Sequence, residues 1–335
     1  METTLEVVEQ SQVGQVRRLA TDLGRAQGLG EDDLGRAALV ATEMSTNLVK
    51  YGKSGTVTLN RFHHDGAEGL QLVAADKGPG FADFMASTRD GHSTGGSLGI
   101  GLGVIMRASD LFDTYTRMDQ GSAILSRVAR DRAAPSGSVE SGLAIGARQA
   151  PKSGETECGD AWAHAICGRW ERLCLVDGLG HGPLAAVAAQ EAIAAFRAAP
   201  ESQMPADIVD ACHAELSSTR GAVMAVAAID RAAGMLYFAG VGNIAGMVYS
   251  GISSKSLLST EGIVGHRMRT VRTVQREWSP GDTVVLSTDG LSGRWNVANY
   301  PGLLERHAVL VASILFRDFA RTTDDATVVV AKDLR

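Results

Sequence analysis

Residues Leu175–Gly182 read LVDGLGHG, an apolar run that stops at Asp177 and gives way to three glycines and a histidine. A buried strand ending in Asp-Gly presents a carboxylate and an unshielded backbone carbonyl at a sheet edge. Hard divalent cations take that kind of closely approached oxygen ligand. An Asp-Gly after a strand is also an ordinary turn, so the motif gains weight only from its company. That company is Asp160, Asp289 and the pair Asp324-Asp325, each at a strand end and separated by whole elements. Together they supply what a binuclear magnesium or manganese site needs: several carboxylates, one backbone carbonyl and bound water. Such a site makes a hydroxide near neutral pH and clamps phosphoryl oxygens during in-line displacement, without a Cys or Ser nucleophile. His181 reads either as an acid for the leaving alcohol or as an exposed loop histidine.

Outward from this stretch the second half alternates short strands and helices. Strands are expected over 142–150, 161–166, 174–176, 222–230, 235–240, 246–249, 283–287 and 328–331, with helices over 183–199, 206–216 and 301–319. Pro183 suits a first helical turn. Gly240-Val241-Gly242-Asn243 joins two strands, and Gly262-Ile263-Val264-Gly265 is a glycine-bracketed turn. Arg130–Gly142, RDRAAPSGSVESG, breaks both periodicities and reads as a flexible linker.

The first half opens with a short strand over 3–8 and two helices, 11–28 and 31–50. Glu31, Asp32 and Asp33 favour the positive end of the second helix. Glu43 and Asn47 lie four residues apart on one face of it. Strands over 56–62 and 70–76 follow, the second ending in Asp76-Lys77-Gly78-Pro79-Gly80. A Gly/Ser/Thr-rich segment, 91–103, then runs into an apolar helix over 104–109. Glycines before a helix let backbone N–H groups approach phosphate oxygens. Strands over 111–117 and 122–128 close the unit.

With 335 residues, 44% hydrophobic and 21% charged, the chain has room for two globular domains. A net charge of −6 gives no electrostatic footprint for nucleic acid. Arg267, Arg269, Arg272 and Arg276 form a modest basic cluster, either a solvated strand face or a contact for a phosphorylated partner. Cys158, Cys167, Cys174 and Cys212 show no CxxC or zinc spacing and are expected as buried, reduced thiols. METTLEVVEQSQ lacks the apolar core of a signal peptide, and no apolar run reaches membrane-spanning length. A soluble cytoplasmic protein is expected.

The upstream order, Glu43…Asn47, then DxGxG at Asp76, then the glycine-rich segment entering a helix, resembles the GHKL (histidine kinase-like) ATP-binding fold. Within it the chain is similar to the anti-sigma and switch-kinase branch, of RsbW/RsbT type, over residues 1–130. The resemblance implies that Asn47 holds the magnesium bridging the ATP phosphates and that Asp76 accepts the adenine amino group. It further implies that Gly78 and Gly80 let the backbone close on the base, and that Gly99, Gly101 and Gly103 form the lid over the triphosphate. Glu43 would be the base for an incoming Ser or Thr hydroxyl. No phosphorylatable histidine sits in a helical hairpin, so sensor-kinase autophosphorylation is rejected. Members of this branch often form homodimers.

The downstream order GD, DGxGxG, GxGN, GxxG, STDG, DDxT resembles the metal-dependent PPM-type Ser/Thr phosphatases, in the RsbX/SpoIIE branch, over residues 143–335. On that resemblance Asp177 bridges both metals, Gly178 contributes its carbonyl, and Asp160, Asp289 and Asp324 complete the shell. Asp325 stands behind them, the choice between Asp324 and Asp325 remaining open. No flap is evident.

The implied fold class is α+β: an N-terminal GHKL (Bergerat) α/β sandwich over 1–130, a linker over 131–142, and a phosphatase β-sandwich flanked by helices over 143–335. The implied function is a bifunctional switch, an ATP-dependent kinase and Mg²⁺- or Mn²⁺-dependent phosphatase. It would act on a STAS-type anti-anti-sigma or stressosome-like partner, with sigma-factor pathway components nearby and neither nucleic acid nor membrane involved. The alternative keeps the phosphatase and makes the first domain a non-catalytic nucleotide sensor or anti-sigma binding module.

Overall fold

The structure is a computed structural model that describes residues 2–64, 66–81, 98–131, 142–251 and 253–334. The chain divides into two compact units, Met1–Glu140 and Ser141–Arg335. Most of the expected linker, residues 132–141, lies outside the described residues, as do residues 91–97 of the glycine-rich segment.

The first unit has a five-stranded antiparallel sheet built from β1 (Thr3–Glu6), β2 (Thr56–His64), β3 (Ala67–Asp76), β4 (Leu111–Arg117) and β5 (Gly121–Ala129). Their spatial order is β1-β2-β3-β5-β4. Helices α1 (Gln10–Ala26), α2 (Glu31–Tyr51) and α3 (Leu98–Ala108) bury Val16, Ala20, Val40, Met44, Leu102 and Ile105 against Val57, Leu59, Leu72 and Ile124 of the sheet. The helical spacing of these apolar residues sets which stripe turns inward. Arg36 ties the start of α2 to the end of α3. Its guanidinium bonds Asp33 at 2.7 Å, Asp110 at 2.9 Å and the Ala108 carbonyl at 3.1 Å.

Helix α3 starts at Leu98, six residues before the expected Val104, so Gly99, Gly101 and Gly103 are helical. Glycine is a poor helix former, which is why the sequence reads as loop there. Packing overrides that preference. A Cβ on Gly101 would stand 3.0 Å from Glu43 Oε2 and 3.3 Å from Asn47 Oδ1, so the bare residue lets α3 lie against α2 without displacing these two side chains.

The second unit is a sandwich of two five-stranded antiparallel sheets. One has the order β15-β10-β9-β8-β7, the other β12-β11-β16-β17-β6. The first is built from β7 (Asp160–Cys167), β8 (Trp170–Gly178), β9 (Ala222–Asp230), β10 (Met235–Val241) and β15 (Val274–Glu277). The second comprises β6 (Leu143–Ala150), β11 (Ala245–Ser250), β12 (Ser253–Leu257), β16 (Thr283–Ser287) and β17 (Ala326–Asp333). Alternation along β8 explains its unbroken apolar run. Leu173 and Leu175 face the other sheet, with Ala225, Phe238, Val284 and Val329. Cys174 and Val176 face outward, under Ala189, Phe196 and Cys212 of helices α4 (Pro183–Ala198) and α5 (Pro205–Glu215).

Helix α6 spans Ala308–Phe319, not 301–319. Two short 3₁₀ turns precede it, and the His307 ring accepts a hydrogen bond from Val309 N at 3.1 Å to cap its start. The expected turn at Gly262–Gly265 is part of a two-stranded ribbon, β13 (Gly262–Ile263) with β14 (Arg267–Met268). Of the four free cysteines, Cys174 and Cys212 are buried while Cys158 and Cys167 are only half-buried. Among the described residues no helix is long and apolar enough to cross a membrane.

Candidate functional sites

In the second unit the antiparallel register sets Asp160 directly opposite Asp177. Both share a face with residues packed between the sheets, Trp162 for the first and Leu175 for the second, so their carboxylates point inward at the open end of the sandwich. The other sheet delivers Asp289 and Asp324 at the same end. Ser287 pairs with Val328, and a Cβ on Gly290 would lie 1.9 Å from the Asp325 carbonyl. Like charges directly opposite on adjacent strands are destabilising unless something compensates them.

The electrostatics show the convergence. Burial is the main force raising the Asp177 carboxyl to about 8, with Asp160, Asp289, Asp324 and Asp325 all adding to it. Burial, then the charges of Asp325 and Asp289, lifts Asp160 to about 7. Asp160 Oδ2 accepts a hydrogen bond from the Thr288 hydroxyl at 2.9 Å, whereas among the described residues no donor meets hydrogen-bond geometry at its buried Oδ1. A buried, orphaned carboxylate oxygen among further carboxylates fits a divalent cation by donor chemistry. Among the described residues no three of these side chains already stand in coordinating positions, so the fit rests on donor type and convergence.

The two candidates at the start of β17 differ. Asp325 is buried and both its oxygens are engaged, Oδ1 by Lys152 N at 2.8 Å and Oδ2 by Gly159 N at 3.0 Å. It anchors the segment leading into Asp160. Asp324 is half-buried, and its Oδ1 accepts from Asp325 N at 3.0 Å. Gly178 lies under the first turn of α4: a Cβ there would meet the Ala185 carbonyl oxygen at 2.2 Å. His181 is exposed and pairs through Nδ1 with Glu155 at 2.7 Å.

Asn243, unassigned by sequence reasoning, donates to Asp289 Oδ2 at 2.8 Å. Its GxGN motif was the available signal. Thr288 was likewise in view, inside STDG, but its bond crosses from one sheet to the other and has no sequence signature.

In the first unit Asp76 closes β3, opposite Ser122 of β5. Its Oδ1 accepts from Gly78 N at 2.6 Å and its Oδ2 from the Ser122 hydroxyl at 2.5 Å. Ser122 is the residue the sequence did not disclose. Asn47, Asp76, Gly80 and Phe81 line one cavity with Met44 and Ile124, a polar edge beside an apolar wall. Gly80 has φ +66°, and a Cβ on it would meet the Arg117 carbonyl oxygen at 2.3 Å, so the turn admits only glycine. Glu43 and Asn47 both face Gly101 of α3.

A family model described as "Histidine kinase-like ATPase domain" matches residues 7–127, and one described as "Stage II sporulation protein E (SpoIIE)" matches residues 169–332. The serine/threonine-protein kinase RsbT of Bacillus subtilis is 31% identical over 108 residues, 32% of this chain and 81% of that protein. A solved structure described as "The bacterial stressosome: a modular system that has been adapted to control secondary messenger signaling" shares 32% identity with a TM-score of 0.52. The match covers 57% of this chain and 99% of that one. RsbX in complex with magnesium shares the fold at 20% identity and TM-score 0.52, over 57% of this chain and 95% of its own. The chain therefore belongs with RsbT among the histidine kinase-like ATPases through its first domain, which is joined to a SpoIIE-type PPM phosphatase domain.

Proposed function

We propose that this chain both phosphorylates and dephosphorylates Ser or Thr on a STAS-type partner, an anti-anti-sigma or stressosome-like protein. The observation that carries the reading is the presence of two separately furnished sites, one around Asn47 and Asp76, the other around Asp160 and Asp177. Its relatives support the setting: one is a serine/threonine kinase and another was solved as part of a stressosome study.

In the phosphatase unit Asp160, Asp177, Asp289 and Asp324 would hold Mg²⁺ or Mn²⁺ with the Gly178 carbonyl. Asp325 fixes the loop behind them. The cations, when bound, supply a low-pKa water and neutralise phosphoryl oxygens. Thr288 and Asn243 keep Asp160 and Asp289 oriented. In the kinase unit Asp76 accepts the adenine amino group, Gly78 and Gly80 give the base room, Gly99, Gly101 and Gly103 close over the phosphates, and Asn47 holds their magnesium. Glu43 takes the proton of the attacking hydroxyl.

Opposing activities on one chain would only cycle ATP, so one of them is gated. The test is phosphate transfer from labelled ATP to a purified STAS protein by wild type, Glu43→Ala and Asp177→Asn. Transfer lost only in Glu43→Ala, and phosphate release lost only in Asp177→Asn, supports the proposal. Nucleotide binding without transfer in any variant would leave the first unit a sensor.

A further inference from the structure

We infer that the ribbon of β13 and β14, together with Arg220, forms a basic rim beside the phosphatase site that receives acidic side chains flanking the phosphorylated residue. This rests on the phosphatase reading above. The ribbon's position follows from two anchors. Val264 and Ala222 exchange backbone hydrogen bonds of 2.8 and 3.0 Å, and Ala222 pairs with Gly178 in the sheet. On the other side Thr260 and the Gly240–Gly242 segment exchange bonds of 2.8 Å, next to Asn243, which holds Asp289. The segment therefore runs from one group of metal-ligand candidates to the other.

Its side chains sort by alternation. Met268 packs onto the core beneath helices α4 and α5, so the flanking Arg267 and Arg269 turn to solvent. Among the described residues Arg269 has only a 3.9 Å pairing with Glu261, both more than three-quarters exposed, which holds neither charge.

Arg220 adds a third cation from the other loop. Its NH1 lies 3.0 Å from the place a Gly180 Cβ would occupy, on the loop that follows Asp177-Gly178. Its backbone is fixed on both sides: the His266 ring bonds its carbonyl at 2.9 Å, and Leu179 N donates to the Gly221 carbonyl at 3.0 Å. Gly221 adopts φ +78°, with a Cβ position 2.6 Å from the His266 ring, so the two loops interlock. A fixed backbone thus presents an exposed guanidinium beside the loop that follows Asp177, and the exposed Arg267 and Arg269 lie on the neighbouring ribbon segment. Arginines so placed complement carboxylates on a docking protein, and such contacts weaken with salt.

The test uses the full chain with Mn²⁺ and two phosphoserine peptides identical except for flanking residues, Asp/Glu in one and Lys in the other. The readout is the ratio of their kcat/KM values, repeated as a ratio of affinities by fluorescence anisotropy on the Asp177→Asn chain. Wild type is expected to favour the acidic peptide by ~10-fold or more at low salt, with the preference shrinking as salt rises. Arg220→Glu, and separately the double change Arg267→Gln with Arg269→Gln, should bring the ratio close to one. Equal handling of both peptides by wild type, or an unchanged ratio in both variants, would overturn the rim. A chain that hydrolyses neither peptide nor p-nitrophenyl phosphate with metal would overturn the phosphatase reading and the rim with it.

Discussion

Asp160 and Asp177 stand opposite one another on adjacent antiparallel strands, and among the described residues no donor meets hydrogen-bond geometry at the buried Oδ1 of Asp160. Both carboxyls are held above the ordinary carboxylate range, at about 7 and about 8, first by burial and then by neighbouring carboxylates. The metal-free folded chain therefore holds more protons than the unfolded one from about pH 4 to about pH 8. Its stability should fall as pH rises through that window. Thermal melts in EDTA should show Tm dropping between pH 5 and pH 8, with Mn²⁺ recovering most of the loss and Asp160→Asn flattening the slope. A flat profile for the wild type would contradict this.

Metal binding displaces those protons, so Mn²⁺ affinity should rise with pH over the same range. Calorimetric titration in buffers of different ionisation enthalpy would count the protons released. The expected release falls toward zero above pH 8.

Asp324 and Asp325 should separate cleanly. Asp325 satisfies two backbone amides from a buried position, so Asp325→Ala should cost the metal-free chain about 3 kcal/mol. Asp324→Asn should leave the metal-free melting temperature within about 2 °C, roughly 0.5 kcal/mol for a unit of this size, and weaken Mn²⁺ binding at least ~10-fold. Chemical denaturation and metal titration of both variants decide it.

In the first unit, Ser122→Ala removes the hydroxyl that bonds Asp76 Oδ2. Losing a hydrogen bond to a charged group costs about 1.5 kcal/mol or more, which is roughly tenfold in nucleotide affinity. Gly101→Ala should act differently. It raises helix propensity by up to about 1 kcal/mol, while its methyl presses on Glu43 Oε2. Folding stability should hold or rise as phosphate transfer falls.

Strands such as β8 and β9 were legible because they are buried on both faces and read as unbroken apolar runs, and the Asp that ends β8 stands out against them. The polar edge strands β12 (SSKSL) and β15 (VQRE) carry no alternation and pass for loop. Helix α3 was misplaced because its glycines serve packing against Glu43 and Asn47, a tertiary demand invisible in local propensity. Asn243, Thr288 and Ser122 act across strands or sheets, through partners 46, 128 and 46 positions away, and only the folded chain brings them together. Asp325 differs from Asp324 in that both of its oxygens accept backbone N–H groups of another segment, a contrast the sequence does not carry.

A metal-dependent phosphatase site and a nucleotide site carried by one chain are the central proposal. Hydrolysis of p-nitrophenyl phosphate by wild type and Asp289→Asn, with and without Mn²⁺ and with and without ATP, tests it most directly. Activity is expected to need both Mn²⁺ and Asp289, at a rate that ATP changes. Hydrolysis indifferent to metal, or surviving intact in Asp289→Asn, would contradict it.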